Sequence, residues 1–209
     1  MKRGKFEAVN RPAADESTRQ KEAVSPVKSI LLYLHDLAFL LAAIIVVLLL
    51  CFRVVVVSGT SMNNTLIDGD YVLLLSNIFY HVPEPGDVIV ASKDSFRDGE
   101  PIIKRVIATE GQKVDIDFVT GTVYVDGVAL NEDYISSATT VDEGVEFPLV
   151  VEKGCIFVLG DNRGVSQDSR SPAIGQIDRR EVLGKAFFLF IPGANEDKVR
   201  DFHRIGGLS

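Results

Sequence analysis

The longest apolar run in the sequence lies near its start. Residues 37–52 carry no charge, and the run continues to Val57 with Arg53 as its one charged residue. A helix needs roughly 20 residues to cross the ~30 Å hydrocarbon core of a bilayer. The pattern therefore predicts one transmembrane helix, with its flanks, over residues 30–57, and the long side chain of Arg53 can reach the interface.

A cleaved export signal is the alternative for this segment, because Val57, Ser58 and Gly59 loosely fit the small-residue rule for cleavage sites. The apolar run is longer than the roughly 7–15 residues usual for such signals, and an unusually long region precedes it. Both features favour a permanent anchor over a removed signal.

After Ser58 the pattern changes to short apolar runs separated by turn signals such as Asp68-Gly69. Runs of this kind indicate an all-β domain, here over residues 58–209. Asp126-Gly127 favours a type I′ hairpin turn between two of the runs. The predicted strands are Tyr71–Leu75, Asp87–Ala91, Ile102–Thr109, Lys113–Phe118, Thr122–Val125, Val128–Leu130, Phe147–Val151, Cys155–Leu159 and Leu183–Ile191.

Charge is distributed unevenly along the chain. Residues 1–29 carry seven basic and four acidic side chains, whereas residues 58–209 carry 14 basic and 24 acidic ones. The basic excess before the apolar run predicts a cytoplasmic N-terminus and a domain on the outer side of the membrane. The polar residues 1–25 are predicted to be disordered, within a cytoplasmic tail of residues 1–29. An acidic domain without a basic stripe argues against nucleic acid as a partner.

Cysteine and histidine usage points away from disulfide and metal chemistry. Cys51 lies inside the apolar run and Cys155 in the β-rich part, so the two are not expected to pair. The three histidines are scattered, and no Cys/His cluster has the spacing of zinc ligands. We therefore expect no metal and no cofactor.

Three polar stretches are candidates for chemistry, and the first surrounds Ser61 directly after the apolar run. This stretch is Ser58–Leu66, and the small residues around Ser61 would let a substrate backbone come close to its hydroxyl. A flexible loop without a catalytic role is the ordinary interpretation of such a composition.

The second stretch is centred on Lys104. In an alternating strand Lys104 shares a face with Ile102 and Val106, which is unusual for a lysine. An exposed edge-strand lysine that resists aggregation is the ordinary interpretation. In the alternative, burial lowers the pKa of the lysine, and the neutral amine accepts the proton of a serine hydroxyl.

The third stretch, Gly160–Arg170, follows the apolar strand Cys155–Leu159. A polar segment rich in turn residues is by default a surface loop. Its alternating acids, arginines and hydroxyls also suit an internal hydrogen-bond network. In that network Asp168 and Arg170 form an ion pair and Ser166 orients a neighbouring group.

Together, in this order and after a single apolar run, the three stretches resemble bacterial type I signal peptidases. Ser61–Leu66 is similar to the family's serine box, Ser-Met-x-Pro-Thr-Leu, and Lys104-Arg105-Val106 is similar to its lysine box. Gly160–Arg170 matches Gly-Asp-Asn-Arg-x-x-Ser-x-Asp-Ser-Arg at every fixed position. Gly86–Val90 and Gly111–Val114 also fit, and the resemblance covers about residues 50–193.

The resemblance implies a mainly β fold: a coiled antiparallel β-sheet catalytic domain, shared with the self-cleaving repressors of the DNA-damage response, behind one transmembrane helix. It implies a membrane-bound serine endopeptidase that removes signal peptides from exported preproteins. Cleavage would follow small residues at substrate positions −1 and −3, at the outer face of the bacterial cell membrane. The implied partners are secreted preproteins, the lipid bilayer and, as a further possibility, the secretion translocon.

The same resemblance implies roles for individual residues. Ser61 would be the nucleophile and Lys104 the general base. Ser166 would hydrogen-bond to Lys104 and orient it, while Asp168 and Arg170 would support the loop that carries Ser166.

An extended substrate segment is expected to pair with the chain at residues 55–58 and 102–103, since strand addition satisfies its backbone groups. A shallow apolar pocket would reject large side chains by steric clash. The residues expected to form its walls are Val57, Met62, Leu66, Ile102 and Ile103.

Two positions depart from the family pattern. Asn64 stands where proline is usual, although asparagine also suits turns. Gly59 stands where some members have a serine that helps to stabilise the oxyanion. The oxyanion hole would then rest on the Ser61 N–H, with Thr60 as a candidate for the second donor. One lost donor can cost roughly 3 kcal/mol of transition-state stabilisation, so we expect a substitute.

Three other classes of protein share features with this sequence. A catalytically silent relative, such as a chaperone of pilus assembly, would lack Ser61 or Lys104. A self-cleaving transcriptional regulator would need a DNA-binding domain, for which residues 1–29 are too short. Signal peptidases of archaea and eukaryotes carry histidine at the position of Lys104.

Overall fold

The structure, a computed structural model, describes residues 26–93, 96–195 and 197–208. The described chain forms two compact units, residues 26–43 and residues 44–208, and each is described by itself. The predicted disorder of residues 1–25 lies outside the described residues.

One long helix, α1, runs from Pro26 to Cys51. Its 26 residues rise about 39 Å at ~1.5 Å per residue, which exceeds the ~30 Å core of a bilayer. None of its residues is buried. By length and composition it is the one helix in the described part of the chain that could cross a membrane. Proline suits its first turn, where the missing N–H has no helical partner.

The helix ends earlier than the apolar run predicts. Phe52–Val56 forms a strand, β1, so Arg53 lies in a sheet and not in the helix. Phe52 pairs with Leu75 of the second strand in antiparallel register. Valine-rich segments favour strands where a partner strand is available, and this pairing overrides the continuous apolar pattern.

Eleven further strands follow in the described residues, all paired in antiparallel register. Of the twelve described strands, eight form the main sheet, in the order β1-β2-β11-β3-β4-β9-β10, with β12 added to β11. Their bounds are β2 Tyr71–Ser76, β3 Val88–Ala91, β4 Ile102–Thr109, β5 Lys113–Asp117, β6 Thr122–Val125, β7 Val128–Ala129, β8 Leu149–Val150, β9 Cys155–Leu159, β10 Ile177–Asp178, β11 Val182–Ile191 and β12 Gly206–Gly207. Short 3-10 turns lie at Arg97–Gly99, Arg179–Glu181 and Phe202–Arg204.

The remaining four strands form a second sheet, in the order β7-β6-β5-β8. Asp126 and Gly127 connect β6 to β7 with φ angles of 52° and 80°, and Val125 lies opposite Val128. Two consecutive positive φ angles are those of a type I′ turn, so the predicted hairpin is confirmed.

The predicted strands agree closely with those observed, which confirms the mainly β fold. Ile102–Thr109, Thr122–Val125 and Cys155–Leu159 have the predicted bounds. The two-residue strands β10 and β12 were not predicted, because so short a segment has no periodicity of its own. The described cysteines, Cys51 and Cys155, are free thiols.

One core cluster lies beneath the segment that carries Ser61. It combines residues from that segment with residues from β2, β3, β4 and β11, so the segment is anchored to the main sheet. The members are Val57, Met62, Leu66, Val72, Leu74, Val88, Val90, Ile103, Ala186 and Leu189.

Candidate active site

The Ser61 and Lys104 side chains meet, although 43 residues separate them in the chain. Lys104 Nζ lies 2.8 Å from Ser61 Oγ and donates to the carbonyl of Ile103 at 2.9 Å. Lys104 is 4% exposed. The interpretation of Lys104 as an exposed edge-strand lysine is therefore wrong, because its side chain is buried.

The loop that carries Ser61, residues 57–70 and hereafter the Ser61 loop, is held by Asn162 of the third polar stretch. The Asn162 N–H donates to the Ser61 carbonyl at 3.0 Å. Its side-chain amide donates to the Thr60 carbonyl, also at 3.0 Å. The Gly160–Arg170 stretch, hereafter the 160–170 loop, thus fixes the backbone on which the Ser61 hydroxyl is mounted.

A groove of about 530 Å³ opens beside Ser61 and Lys104. Of the residues predicted to contact substrate, Val57, Thr60, Ile102 and Ile103 line it. Val55, Val56 and Ser58 of the segment expected to pair with substrate also line it, as does Gly59. The lining residues that were not predicted from the sequence are Val90, Phe96, Glu100, Pro101, Val165 and Gln167.

Met62 and Leu66 do not line the groove, in contrast to the prediction. Met62 is 1% exposed and Leu66 is fully buried, both in the core cluster beneath the Ser61 loop. The Leu66 N–H donates to the Met62 carbonyl at 2.8 Å, so the chain turns inward there. Their side chains anchor the loop because burial of two large apolar groups stabilises this conformation.

Arg105 is buried on the other face of β4, and Asp161 neutralises it. Its guanidinium donates to both carboxylate oxygens of Asp161 at 2.9 Å and to the Gly86 carbonyl at 2.8 Å. Arg105 also lies over the ring of Tyr134, 4.1 Å from its centroid. Thr65 of the Ser61 loop donates to the same Asp161 carboxylate at 2.5 Å.

The pairing of Arg105 with Asp161 was not predicted from the sequence. One signal was available: the lysine box contains the cationic Arg105 and the 160–170 loop contains the anionic Asp161, and two opposite charges in segments expected to meet can form an ion pair. The pairing connects the second and third polar stretches and, through Thr65, the first.

The predicted ion pair between Asp168 and Arg170 is present and fully buried. Arg170 Nε and Nη2 donate to the two carboxylate oxygens at 2.9 and 3.0 Å. Asp168 also accepts the Gly160 N–H at 3.0 Å, which closes the loop. Glu143 contacts the same guanidinium at 3.1 Å. Burial raises the pKa of Glu143, and the neighbouring Asp168 carboxylate adds to that rise.

Ser166 is buried beside these groups, 3% exposed. Its hydroxyl has no hydrogen-bond partner among the described residues. The hydrogen bond expected between Ser166 and Lys104 is therefore not formed in this structure, in which Lys104 Nζ bonds to Ser61 Oγ and the Ile103 carbonyl.

The structure describes both positions that depart from the family pattern. The N–H of Gly59 donates to the Asp68 side chain at 2.8 Å, so it is already engaged. Asn64 follows Asn63 through a cis peptide bond.

Comparison with known proteins identifies relatives along most of the chain. The family profile "Signal peptidase, peptidase S26" matches residues 30–191. A probable signal peptidase I-1 of Synechocystis is 33% identical over 180 residues, which cover 80% of this chain and 87% of that protein. The signal peptidase I of Bacillus licheniformis is 33% identical over 187 residues, covering 85% of this chain and 94% of that protein.

Among solved structures, the crystal structure of a signal peptidase I from Enterococcus faecalis V583 is 33% identical. The match covers 50% of this chain and 96% of that one, with a TM-score of 0.42. The family profile and the relatives confirm the resemblance carried by the three motifs. The chain belongs to the signal peptidase family, peptidase S26.

Proposed function

We propose that this protein is a membrane-bound serine endopeptidase that removes N-terminal signal peptides from exported preproteins, with Ser61 as nucleophile and Lys104 as general base. The observation that carries the proposal is the 2.8 Å contact between Lys104 Nζ and Ser61 Oγ, made by a lysine that is 4% exposed. Burial favours the neutral form of an amine, which is the form that accepts a proton.

The chemistry follows from this contact. Lys104 takes the Ser61 proton while Ser61 Oγ attacks the scissile carbonyl carbon. The ammonium so formed gives its proton to the leaving amine as the peptide bond breaks, which leaves an acyl ester on Ser61. The neutral amine then takes a proton from water, whose oxygen attacks the ester, and the proton returns to Ser61 as the ester bond breaks.

The developing oxyanion needs donors near Ser61. The Ser61 N–H makes no hydrogen bond to the described residues and is the first donor in the proposal. Gly59 is not a second donor, because its N–H is engaged by Asp68. We propose the hydroxyl of Thr60, which lines the groove, for that role.

Two strand segments beside the groove can accept an extended substrate. β1 is the outermost strand of the main sheet as described. In β4, Ile102 and Ile103 pair with β3, whereas pairing with β9 begins only at Arg105. A substrate strand inserted between these edges would satisfy backbone groups on both sides and direct alternate side chains into the groove. Val57 and Ile103 line the groove, and apolar walls there would reject large side chains at substrate positions −1 and −3 by steric clash.

The placement of the chain in the cell is part of the proposal. The helix α1 spans the bacterial cell membrane, the basic residues 1–29 stay in the cytoplasm, and the domain of residues 58–209 faces outward. Ser61 follows the end of this helix by only ten residues. An anchor of this kind confines enzyme and membrane-bound preproteins to one surface and raises their effective concentration.

The deciding experiment is cleavage of a model preprotein with alanine at −1 and −3 by the full-length protein in detergent micelles. The cut site is read by mass spectrometry for the wild type, Ser61→Ala and Ser137→Ala, the last replacing an exposed loop serine as a control. We expect a cut after the −1 alanine by the wild type and Ser137→Ala alone. Cleavage by Ser61→Ala at the wild-type rate would refute the assignment of the nucleophile.

A further inference from the structure

The Ser61 loop is closed at its base by Asp70. The Val57 N–H donates to the Asp70 carbonyl at 2.8 Å, and the Gly69 N–H donates to the Val57 carbonyl at 2.9 Å. These two bonds join the first residue of the loop to its last two residues. Contacts that hold Asp70 in place therefore also hold the two ends of the loop that carries Ser61.

The Asp70 carboxylate is fully buried and accepts four hydrogen bonds. Two come from backbone N–H groups, those of Ile67 at 2.8 Å and Gly193 at 2.6 Å. The other two come from one guanidinium: Arg204 Nη1 and Nη2 lie 2.9 and 2.6 Å from the two carboxylate oxygens. The buried Asp70 carboxylate requires the Arg204 guanidinium as its counter-charge, because an unpaired buried charge is strongly unfavourable.

Arg204 also reaches the Ser61 loop directly. Its Nη2 donates to the Thr65 carbonyl at 3.3 Å, so one side chain ties Asp70 to the middle of the loop. The side chain is 22% exposed. Thr65 is in turn bonded to Asp161, so this contact meets the network of the 160–170 loop.

Residues 197–208, hereafter the strap, hold Arg204 in place. Asp201 accepts the His203 N–H at 3.0 Å at the start of the 3-10 turn that contains Arg204. β12 then pairs with β11 of the main sheet. Leu208 packs against the core cluster beneath the Ser61 loop. The strap is thus bonded to the sheet and presents Arg204 in a defined position.

We infer that Arg204 is a positioning residue for the reaction, acting on Ser61 through Asp70 and the Thr65 carbonyl, and that the strap is part of the catalytic apparatus. The inference rests on the proposed role of Ser61 as nucleophile. Proton transfer requires the Ser61 hydroxyl and the Lys104 amine to remain within hydrogen-bond reach. Loss of the Arg204 guanidinium makes the two ends of the Ser61 loop more mobile, so that Ser61 Oγ occupies a wider range of positions relative to Lys104.

The test compares Arg204→Gln and Arg204→Lys with Arg180→Gln in the full-length protein. Arg180 is a matched control, because it pairs with Asp178 at 2.6 Å but its side chain is 90% exposed. Cleavage of the model preprotein is measured below the unfolding temperature of each variant. For Arg204→Gln we expect kcat to fall about 10- to 100-fold and KM to change much less than kcat. Residues 57–61 of the loop line the groove, but Val55, Ile102 and Ile103, which also line it, lie outside the loop.

Arg204→Lys keeps the charge but not the two-pronged geometry, so we expect an intermediate kcat. Amide hydrogen exchange within residues 57–70 should be faster in both Arg204 variants than in Arg180→Gln. If Arg204→Gln does not fold, Arg204→Lys decides the question with the same two measurements.

Three results would overturn the inference: an Arg204 variant with the kcat of Arg180→Gln, a loss of activity equal to the unfolded fraction, or unchanged exchange in the loop. The Ser61→Ala variant separates this inference from the proposed function. If Ser61→Ala is inactive while the Arg204 variants match the control, only the positioning role is wrong. If Ser61→Ala is active, the nucleophile assignment itself is wrong.

Discussion

The backbone of Gly160 lies directly against the side chain of Ser166, so that a methyl group at position 160 would occupy the space of the Ser166 hydroxyl. The same methyl group would meet the carbonyl oxygen of Ser61. The lack of a side chain at Gly160 therefore allows the Ser61 loop and the 160–170 loop to pack together beside Lys104.

Gly160→Ala should impair processing for this reason. The added methyl group has no space, and overpacking of this kind costs about 1–3 kcal/mol. Displacement of the Ser61 backbone should lower kcat/KM by about tenfold or more. Gly164→Ala is the control in the same loop, because its methyl group would meet only the Ser137 hydroxyl at 3.6 Å. Equal kcat/KM for the two variants would contradict the packing argument.

Lys104→Met should remove activity without unfolding the protein. Methionine keeps most of the side-chain volume but has no proton acceptor of comparable basicity, so we expect kcat to fall by at least about 10³-fold. Thermal unfolding should stay near that of the wild type, because no buried cation is left unpaired. Lys113→Met, which replaces an exposed lysine of β5, is the control. Near-normal turnover by Lys104→Met would exclude Lys104 as the base.

The rate of cleavage should fall at acid pH. The ammonium form of Lys104 cannot accept the Ser61 proton, so kcat/KM should decline as the amine becomes protonated. The measurement is kcat/KM from about pH 5 to 9, with the folded fraction followed at each pH. A flat profile with the protein folded throughout would argue against a lysine base.

Asp161→Asn should be strongly destabilising. It leaves the Arg105 guanidinium, which is 1% exposed, without its counter-charge. Breaking a buried pair in this way costs about 3–5 kcal/mol of unfolding free energy. Asp178→Asn is the control, since it breaks an exposed pair worth about 0–1 kcal/mol and asparagine remains a good N-cap. Chemical unfolding of both variants measures the difference, and similar losses would contradict the assignment.

Asp87 should make stability depend on pH. Burial alone would raise the pKa of Asp87, but hydrogen bonds from Lys185 and Tyr80 outweigh it, so the pKa lies below its usual value. The native carboxylate thus binds a proton less readily than the unfolded one. Its contribution to stability is complete above the unfolded-state pKa of about 3.9 and is lost as the pH falls through the native pKa.

Asp87→Asn tests this dependence. We expect a loss of about 1–3 kcal/mol near neutral pH, where the charged hydrogen bonds are intact in the wild type. The difference between wild type and variant should shrink on acidification below about pH 4. A difference in unfolding free energy that stays constant with pH would show that the Asp87 charge is not responsible.

Much of the fold could be predicted because it depends on local pattern. Alternation and turn residues placed most strands of the main sheet, and Asp126-Gly127 placed a hairpin whose φ angles require no distant contact. The β1 strand could not be predicted in this way. Residues 52–56 are as apolar as the helix before them, and only pairing with β2 determines their conformation.

For the candidate site, the sequence by itself determined the candidate dyad and the family. Each of the three motifs is an unbroken stretch of sequence, and their order along the chain can be read directly. Only the tertiary structure showed that Ser61 and Lys104 lie within hydrogen-bond distance, and it decided which other side chains meet: Arg105 with Asp161 across 56 residues and Asp70 with Arg204 across 134. It also moved Met62 and Leu66 from the groove into the core. Periodicity reports the face on which a residue lies, whereas contacts between distant segments depend on strand register and packing, which no local pattern contains.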